Sequence, residues 1–510
     1  MTSSSFINLG EIQRLPRFGE QRALLDLRDP TRPVAFSALE LDAACRAVAR
    51  GLARRGVTPG TRVGILAENR HEFFTSYCGI MLLGAIAVPL NHRLPRATIE
   101  HIFKDAAITL AIVDAARRSL VPPGVPRIDL DPGEAAGATF AELLDPGPFE
   151  TFIPDEHALA EILYTSGSTG FPKGVPLTHR GQLWAMEEYL EPLPEQAPHD
   201  STLIVAPLYH MNALFNITMA LASRVEVILL PRFEAGRYLD TVAEHRCTRL
   251  SGIPTMFALM VRERDRIEQL DLSSVLEVTI GSAPLTDALL GQVHALFPRA
   301  HVENGFGTTE AGPAVFGPHP RGLPRPPLSL GYPLPGIGCR LVDGDRPDQG
   351  VLALRTPALT PGYLNLPQAT AARMRDGWYL TGDVMRRDEN GFYFFVGRAD
   401  DMFVCGGENV YPGEIEKLLE RHPAIAQAIV VPAPDDIKGQ IPVAFVVPRH
   451  GSRASTEEIK QYTLREGPAY AHPRFVEFRE VLPVAGTHKI DRSALTAEAA
   501  ALARAAGRAR

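Results

Sequence analysis

The sequence predicts an α/β protein with a large N-terminal domain and a small C-terminal one. Its 510 residues exceed what one ordinary core organises, and a hydrophobic content of 45% is ample for several. Helix-like and strand-like segments alternate from Phe36 to about Val113 and again from Ser201 to Leu296, the pattern of parallel sheets covered on both faces. Between Leu323 and Gly362 the composition shifts to Pro, Gly and short β-like runs, which predicts a β-rich subdomain. The chain then restarts as a compact unit after Arg398. These shifts place the domains at residues 1–396 and 397–510.

Taken in order, Ser37 can cap an Ala-rich helix to Arg55, Arg62–Leu66 is a buried strand, and Glu72 to Leu83 is helical. The longest apolar run, Tyr77 to Leu90, contains Gly79, Gly84 and Pro89 and falls short of the ~20 residues of a membrane helix, so it reads as a core helix feeding a strand. Further strands are expected at Thr202–Ala206, Val225–Leu230, Arg249–Gly252 and Glu277–Gly281. In the C-terminal unit Asp401–Val404 is a short strand, Pro412 opens a helix through Glu420, and Ala428–Pro432 and Pro442–Val447 are strands. The stretch Ala494 to Arg510 reads as a frayed surface helix or tail. No internal repeat is found.

A net charge of -7 and a pI near 6.1 leave no basic footprint, which argues against nucleic acid as a partner. The five cysteines, Cys45, Cys78, Cys247, Cys339 and Cys405, are widely spaced without a C-x-x-C pair. Neither a disulfide framework nor a zinc site follows, and a reducing cytoplasm fits best. The N-terminus lacks the basic stretch and apolar core of a secretory signal, and no membrane insertion is expected.

The stretch Tyr164-Thr165-Ser166-Gly167-Ser168-Thr169-Gly170-Phe171-Pro172-Lys173-Gly174-Val175 carries the most chemistry. Its glycines let backbone N–H groups approach phosphate oxygens, its hydroxyls add donors, and Lys173 adds a mobile cation. It is not the Walker pattern, because Lys173 stands between Pro172 and Gly174. A Ser/Thr/Gly run alone is as readily a surface loop. Here the strand-like Ala160–Tyr164, the extended Val175-Pro176-Leu177 and a helix cap at Thr178 pin it on both sides.

This loop resembles the phosphate-binding motif of the adenylate-forming enzymes, the superfamily of acyl-CoA synthetases, luciferases and peptide-synthetase adenylation domains. Asn304-Gly305-Phe306-Gly307-Thr308-Thr309-Glu310, Tyr379-Leu380-Thr381-Gly382-Asp383, Gly397-Arg398-Ala399-Asp400-Asp401 and Pro483-Val484-Ala485-Gly486-Thr487-His488-Lys489-Ile490 resemble further family motifs, in the family's order. The resemblance covers essentially the whole chain. It implies stacked αβα sheets and a mobile C-terminal domain. It also implies an acid–CoA ligase that uses ATP, Mg²⁺ and CoA on a small carboxylic acid through an acyl-adenylate. A homodimer is a family-level expectation.

The resemblance also assigns roles. Thr165, Ser166, Gly167, Ser168, Thr169, Gly170 and Lys173 would grip the β- and γ-phosphates, Thr309 the α-phosphate, and Glu310 the Mg²⁺. Asn304, Phe306, Gly307 and Thr308 would complete the nucleotide site, with Phe306 where tyrosine is usual, so stacking on adenine survives without that hydroxyl. Gly281, Ser282 and Ala283 would line the adenine and acyl pockets. Asp383 and Arg398 would hold the ribose, although Thr-Gly-Asp alone is more often a plain turn. Lys489 would be the catalytic lysine of adenylation, with His488 replacing a common glycine. Asp400 would be the hinge. Gly406, Gly407 and Glu408 would face a thiol tunnel, because paired glycines admit a thin pantetheine arm. His472 and Arg474 are weaker candidates for CoA phosphates. Within Tyr209-His210-Met211-Asn212, His210 would orient the carboxylate or gate the thiol, although a histidine between apolar residues is as often a core group. The Asn212 amide, if unpaired, would favour an acid with a polar substituent. Rival readings keep adenylation but load a separate acyl carrier protein, or oxidise the adenylate as a luciferase does. A non-catalytic nucleotide-binding relative is disfavoured by the joint presence of Lys173, Glu310, Asp383 and Lys489.

Overall fold

The computed structural model describes residues 7–11, 21–131, 133, 138–165, 172–190, 200–406, 408–449, 451–452, 454–468, 471–484 and 490–508. Fourteen strands build two seven-stranded sheets in the first 305 residues. They are β1 (Arg22–Asp26), β2 (Val34–Ser37), β3 (Arg62–Leu66), β4 (Ile86–Pro89), β5 (Leu110–Val113), β6 (Arg127–Asp129) and β7 (Ala138–Thr139). Then follow β8 (Leu159–Thr165), β9 (Lys173–Thr178), β10 (Ser201–Ile204), β11 (Glu226–Leu229), β12 (Arg249–Gly252), β13 (Glu277–Gly281) and β14 (His301–Gly305).

The two sheets share one plan. One runs β7-β6-β5-β3-β4-β8-β9 and the other β14-β13-β12-β10-β11-β1-β2. In each, five parallel strands carry an antiparallel pair docked in parallel on the β4 or β11 edge. The fold therefore contains a structural repeat that the sequence does not show, with its second antiparallel pair supplied from the N-terminal end of the chain.

Local chemistry explains the elements. Ser37 caps the Ala38–Arg54 helix with a full capping box, Glu40 N donating to Ser37 Oγ at 3.3 Å and Ser37 N to Glu40 Oε2 at 2.8 Å. The His71–Leu82 helix is buried on nearly every side, Glu72, Thr75 and Ser76 among its buried residues, and it feeds β4 as expected. Thr178 Oγ accepts from Gly181 N at 3.0 Å and starts the His179–Leu190 helix. No helix among the described residues is long and apolar enough to cross a membrane.

The β-rich subdomain extends well beyond Gly362. Its sheet contains Gly338–Arg346, Gln349–Arg355, Met374–Arg375, Trp378–Arg387 and Tyr393–Arg398, so the segment from Asp383 to Arg398 lies on adjacent antiparallel strands. The C-terminal unit has its own core, built on the Ile425–Asp435/Gly439–Pro448 hairpin and the Pro412–Glu420 helix. The expected frayed tail is instead a packed helix, Arg492–Arg508, with Leu495 and Ala499 buried in that core. The Ala-rich composition concealed one apolar stripe, and burying Leu495 alone contributes roughly 2 kcal/mol.

Candidate active site

A cavity of about 2810 Å³ opens where the C-terminal ends of β13 and β14 face the Met211–Ala222 helix, the β-rich subdomain and the C-terminal unit. Thr165, Lys173, His210, Met211, Asn212, Gly281, Ser282, Ala283, Asn304, Phe306, Gly307, Thr308, Thr309, Glu310, Asp383, Arg398 and Asp400 all line it. Residues separated by more than two hundred positions thus share one space. Ser166, Gly167, Ser168, Thr169, Gly170, Gly407 and Lys489 lie outside the described residues.

The phosphate-type loop joins β8 to β9, which pair antiparallel with Thr165 opposite Lys173, so the hairpin sets both ends of the loop at the cavity wall. Lys173 Nζ lies 5.1 Å from the centre of the Tyr363 ring. The Tyr363 hydroxyl donates to Glu310 Oε1 at 2.9 Å, and Tyr379 completes a hydrogen-bonded cluster with both. Burial, then the Glu310 carboxylate, pushes both phenols up. They remain neutral donors at any physiological pH. Tyr363 was not legible in the sequence, and Tyr379 reads there only as the first residue of the Tyr379–Asp383 motif, without a role of its own.

Two glycines carry the close approaches. A Cβ on Gly307 would lie 1.9 Å from Pro313 O, and one on Gly281 would lie 2.8 Å from Gly305 O. Thr308 pairs with Gly312 and its hydroxyl accepts from Ala311 N at 3.0 Å, a tight turn that presents Thr309 and Glu310. Asn304 Nδ2 donates to Leu328 O at 2.9 Å. Phe306 packs against Phe316 at 5.8 Å between ring centres, which keeps an aromatic face at the wall without a hydroxyl.

Asp383 and Arg398 meet at 2.8 Å across their strand pair, and Arg398 also reaches Asp400 at 3.4 Å. Arg373, unremarked in the sequence, binds Asp400 at 2.8 Å. Asp400 is thus tied to one arginine on each side of the domain boundary, Arg373 and Arg398.

His210 is the N-cap of the Met211–Ala222 helix, and Tyr209 packs edge-on against both His210 and His92. Burial, then Arg117 and Arg93, lowers the His92 imidazole to about 4. The Asn212 amide is not unpaired. Its Nδ2 lies 3.4 Å from Ser282 Oγ, and its Oδ1 accepts from Asn216 Nδ2 at 3.2 Å. One helical turn separates the two asparagines, which places a pair of linked amides on the cavity wall, Asn212 beside Ser282.

From the C-terminal unit the Pro412–Glu420 helix, Gln427, Arg449, Ile490 and Arg492 face the cavity. Val484 and Ile490, which flank the segment carrying Lys489, bridge each other, and Ile490 lines the cavity. Lys417 Nζ donates to Phe395 O at 2.7 Å and holds this helix against the strand that ends in Arg398. Gly406, Glu408 and His472 do not line the cavity. His472 is buried near Thr463, where burial, then Arg474, lowers its imidazole to about 4, a poor state for binding phosphate.

Comparison with known proteins agrees with this geometry. A 4-coumarate–CoA ligase of Oryza sativa subsp. japonica is 32% identical over 95% of this chain and 93% of its own. A long-chain-fatty-acid–CoA ligase of Bacillus subtilis is 30% identical over 87% of this chain and 86% of its own. The crystal structure of the anthranilate CoA ligase AuaEII in complex with anthranoyl-AMP superposes with a TM-score of 0.87 at 26% identity, covering 98% of each chain. Models of the AMP-binding enzyme and of its C-terminal domain match residues 13–364 and 414–489, and with both lobes matched the chain belongs to the AMP-binding enzyme family.

Proposed function

We propose that this cavity carries both half-reactions of an ATP-dependent carboxylic acid–CoA ligase. The observation that supports it most is the meeting of Lys173, Glu310, Asp383, Arg398 and the His210–Asn212 segment around one space beside Ile490. The chain is an AMP-forming acid–thiol ligase, and the roles below are our reading of its residues.

In the first half-reaction a carboxylate oxygen of the acid attacks the α-phosphorus of ATP, the bond to pyrophosphate breaks, and an acyl-adenylate forms. Negative charge must be neutralised along the triphosphate while the reactants are held in line. Lys173 and the Thr165–Gly170 loop take the β- and γ-phosphates, Thr309 the α-phosphate, and Asp383 with Arg398 the ribose. Lys489 neutralises the transition state at the α-phosphate. Glu310 offers hard carboxylate oxygen held by Tyr363, a donor that fits Mg²⁺, which when bound offsets triphosphate charge. Tyr363 and Tyr379 orient that carboxylate.

The acid lies along the Met211–Ala222 helix between Phe215, Phe306 and the Asn212–Ser282 pair. His210 orients its carboxylate. In the second half-reaction the thiol of CoA attacks the acyl carbonyl and AMP leaves. We assign this step to a turn of the 397–510 domain about Asp400, which brings Gly406, Gly407 and Glu408 to the site; Gly406 and Glu408 do not line it in this state. We place the enzyme in the cytoplasm, where its free cysteines persist, and expect a homodimer.

The test is pyrophosphate release from ATP and Mg²⁺ across alkyl, hydroxy and aryl acids, with and without CoA, with product masses. Acyl-CoA from a CoA-dependent hit is the expected result. Acid-dependent turnover that ignores CoA would transfer the reading to a carrier-protein acceptor or an oxygenase.

A further inference from the structure

Met211 and Phe215 face two spaces. They line the large cavity and also a small pocket of about 10 Å³, and so stand between the two as a partition. The pocket has room for about one water-sized group. Its polar lining comes from Tyr77, Glu161, Gln182 and Thr218, contributed by three helices and β8.

The hydrogen bonds around this pocket leave one donor over. Tyr77 Oη donates to Glu161 Oε2 at 3.0 Å, and Thr218 Oγ donates to Leu214 O at 2.8 Å. Gln182 is only 5% exposed, and its Nε2 is buried with no partner. Nothing in helix packing asks for an amide at this position, because Leu183 and Met186 beside it are ordinary core residues. A buried N–H without an acceptor is costly, and is kept where something else supplies one. Glu161 stands across the pocket, between the buried Ala160 and Ile162 of β8. Burial pushes its carboxyl up to about 7, with the Tyr77 hydrogen bond opposing, so it can share a proton with a neutral group near neutrality.

We propose that this pocket is the far compartment of the acid chamber and receives the terminal hydroxyl of a hydroxy-substituted carboxylic acid. The hydroxyl accepts from Gln182 Nε2 and hydrogen-bonds Glu161, a pairing that only a group with both a donor and a lone pair satisfies. A methyl end leaves the Gln182 N–H unpaired, a carboxylate end meets Glu161, and an ammonium end meets the Gln182 N–H. Entry requires the partition to part. Met211 suits this because its side chain is unbranched and flexible, and both partition residues are only partly buried. The inference rests on the reading that the acid lies along the Met211–Ala222 helix, and it adds which end group that acid carries.

The experiment uses pairs of acids identical but for a terminal hydroxyl, in aryl and alkyl series. Each pair is assayed for pyrophosphate release and, separately, titrated by calorimetry. Wild type should prefer the hydroxylated member at least tenfold in kcat/KM and in affinity. Gln182→Leu should erase that preference by weakening the hydroxylated acid and strengthening its parent, with no loss of melting temperature, since an unpaired buried amide is removed. Gln182→Met supplies the same reading if the leucine variant fails to fold. Met211→Ala should favour hydroxy acids one methylene longer. An unchanged preference in the Gln182 variants means the pocket holds water only and overturns the inference. Silence in the pyrophosphate assay with Gln182-dependent binding intact would instead sink the ligase reading and leave the pocket assignment standing.

Discussion

The Tyr363 hydroxyl donates to Glu310 Oε1 at 2.9 Å in a buried setting, while the Lys173 ammonium lies over the same tyrosine ring. One side chain therefore positions both the anionic and the cationic member of the proposed triphosphate site. Its phenol stays protonated, so it acts only as a donor and never competes for the cation.

Tyr363→Phe keeps the ring under Lys173 and removes the hydroxyl that bonds Glu310 and Tyr379. A hydrogen bond to a charged group contributes roughly 1.5–3 kcal/mol, so acid-dependent pyrophosphate release should fall about ten- to a hundredfold. The apparent affinity for Mg²⁺ should weaken with it. A variant with normal Mg²⁺ dependence would show that Glu310 needs no such support.

Asp383 and Arg398, 2.8 Å apart on paired strands, face the position assigned to the ribose. Wild type should prefer ATP to 2′-deoxy-ATP by about tenfold, the range of one charged hydrogen bond. Asp383→Ala should raise KM for ATP and abolish that discrimination. Retained discrimination would place the sugar elsewhere.

Lys489→Ala should lower adenylation by at least about a hundredfold while largely sparing transfer to CoA from a supplied acyl-adenylate. A bulky residue at Gly407 should do the reverse, because only the second half-reaction needs a chain close to pantetheine. Equal losses in both assays for both variants would defeat the account in which two faces of the small domain act in turn.

Gly307 and Gly291 make a matched pair. A Cβ at Gly307 meets Pro313 O at 1.9 Å, whereas at Gly291, inside the Asp287–Leu296 helix, it meets nothing within 4 Å. Gly307→Ala should displace the 308–310 turn and cost roughly 1–3 kcal/mol along with most of the adenylation. Gly291→Ala should stabilise by up to about 1 kcal/mol with activity unchanged, through helix propensity alone. Denaturant titration of both variants checks the contrast.

Much of this was legible because it rests on short-range chemistry. The Ser37 capping box, Pro412 at its helix start, and the strands that flank the Thr165–Lys173 loop announce themselves within a few residues. Thr165, Lys173, Gly281 and Arg398 meet on one cavity because they sit at strand ends, and Thr309 and Glu310 because they sit in the turn after β14. What the sequence withheld is long-range. The shared plan of the two sheets exists only in strand order, since one antiparallel pair comes from residues 22–37 and the other from residues 159–178. Tyr363 reaches Glu310 across 53 positions, and the Arg492–Arg508 helix shows its buried stripe only against the hairpin it covers.

Glu161 offers a test that needs no substrate. Burial raises its carboxyl from 4.5 to about 7, the Tyr77 hydrogen bond opposing, so the folded protein holds this proton more tightly than the unfolded chain does. The stability it contributes is therefore fully present below the unfolded value of 4.5 and is lost as pH rises through about 7. A tenfold difference in proton affinity between the folded and unfolded chain corresponds to about 1.4 kcal/mol, so between about pH 5 and about pH 8 the loss is on the order of 2–3 kcal/mol. Glu161→Gln keeps the shape and cannot ionise. Measured by urea unfolding, its stability relative to wild type should improve steadily across that interval. Glu420, also pushed up to about 7 by burial, is present in both proteins and cancels in the difference. Parallel pH profiles for the two proteins would mean that the Glu161 carboxyl titrates as an ordinary exposed one, with water reaching the pocket behind Met211.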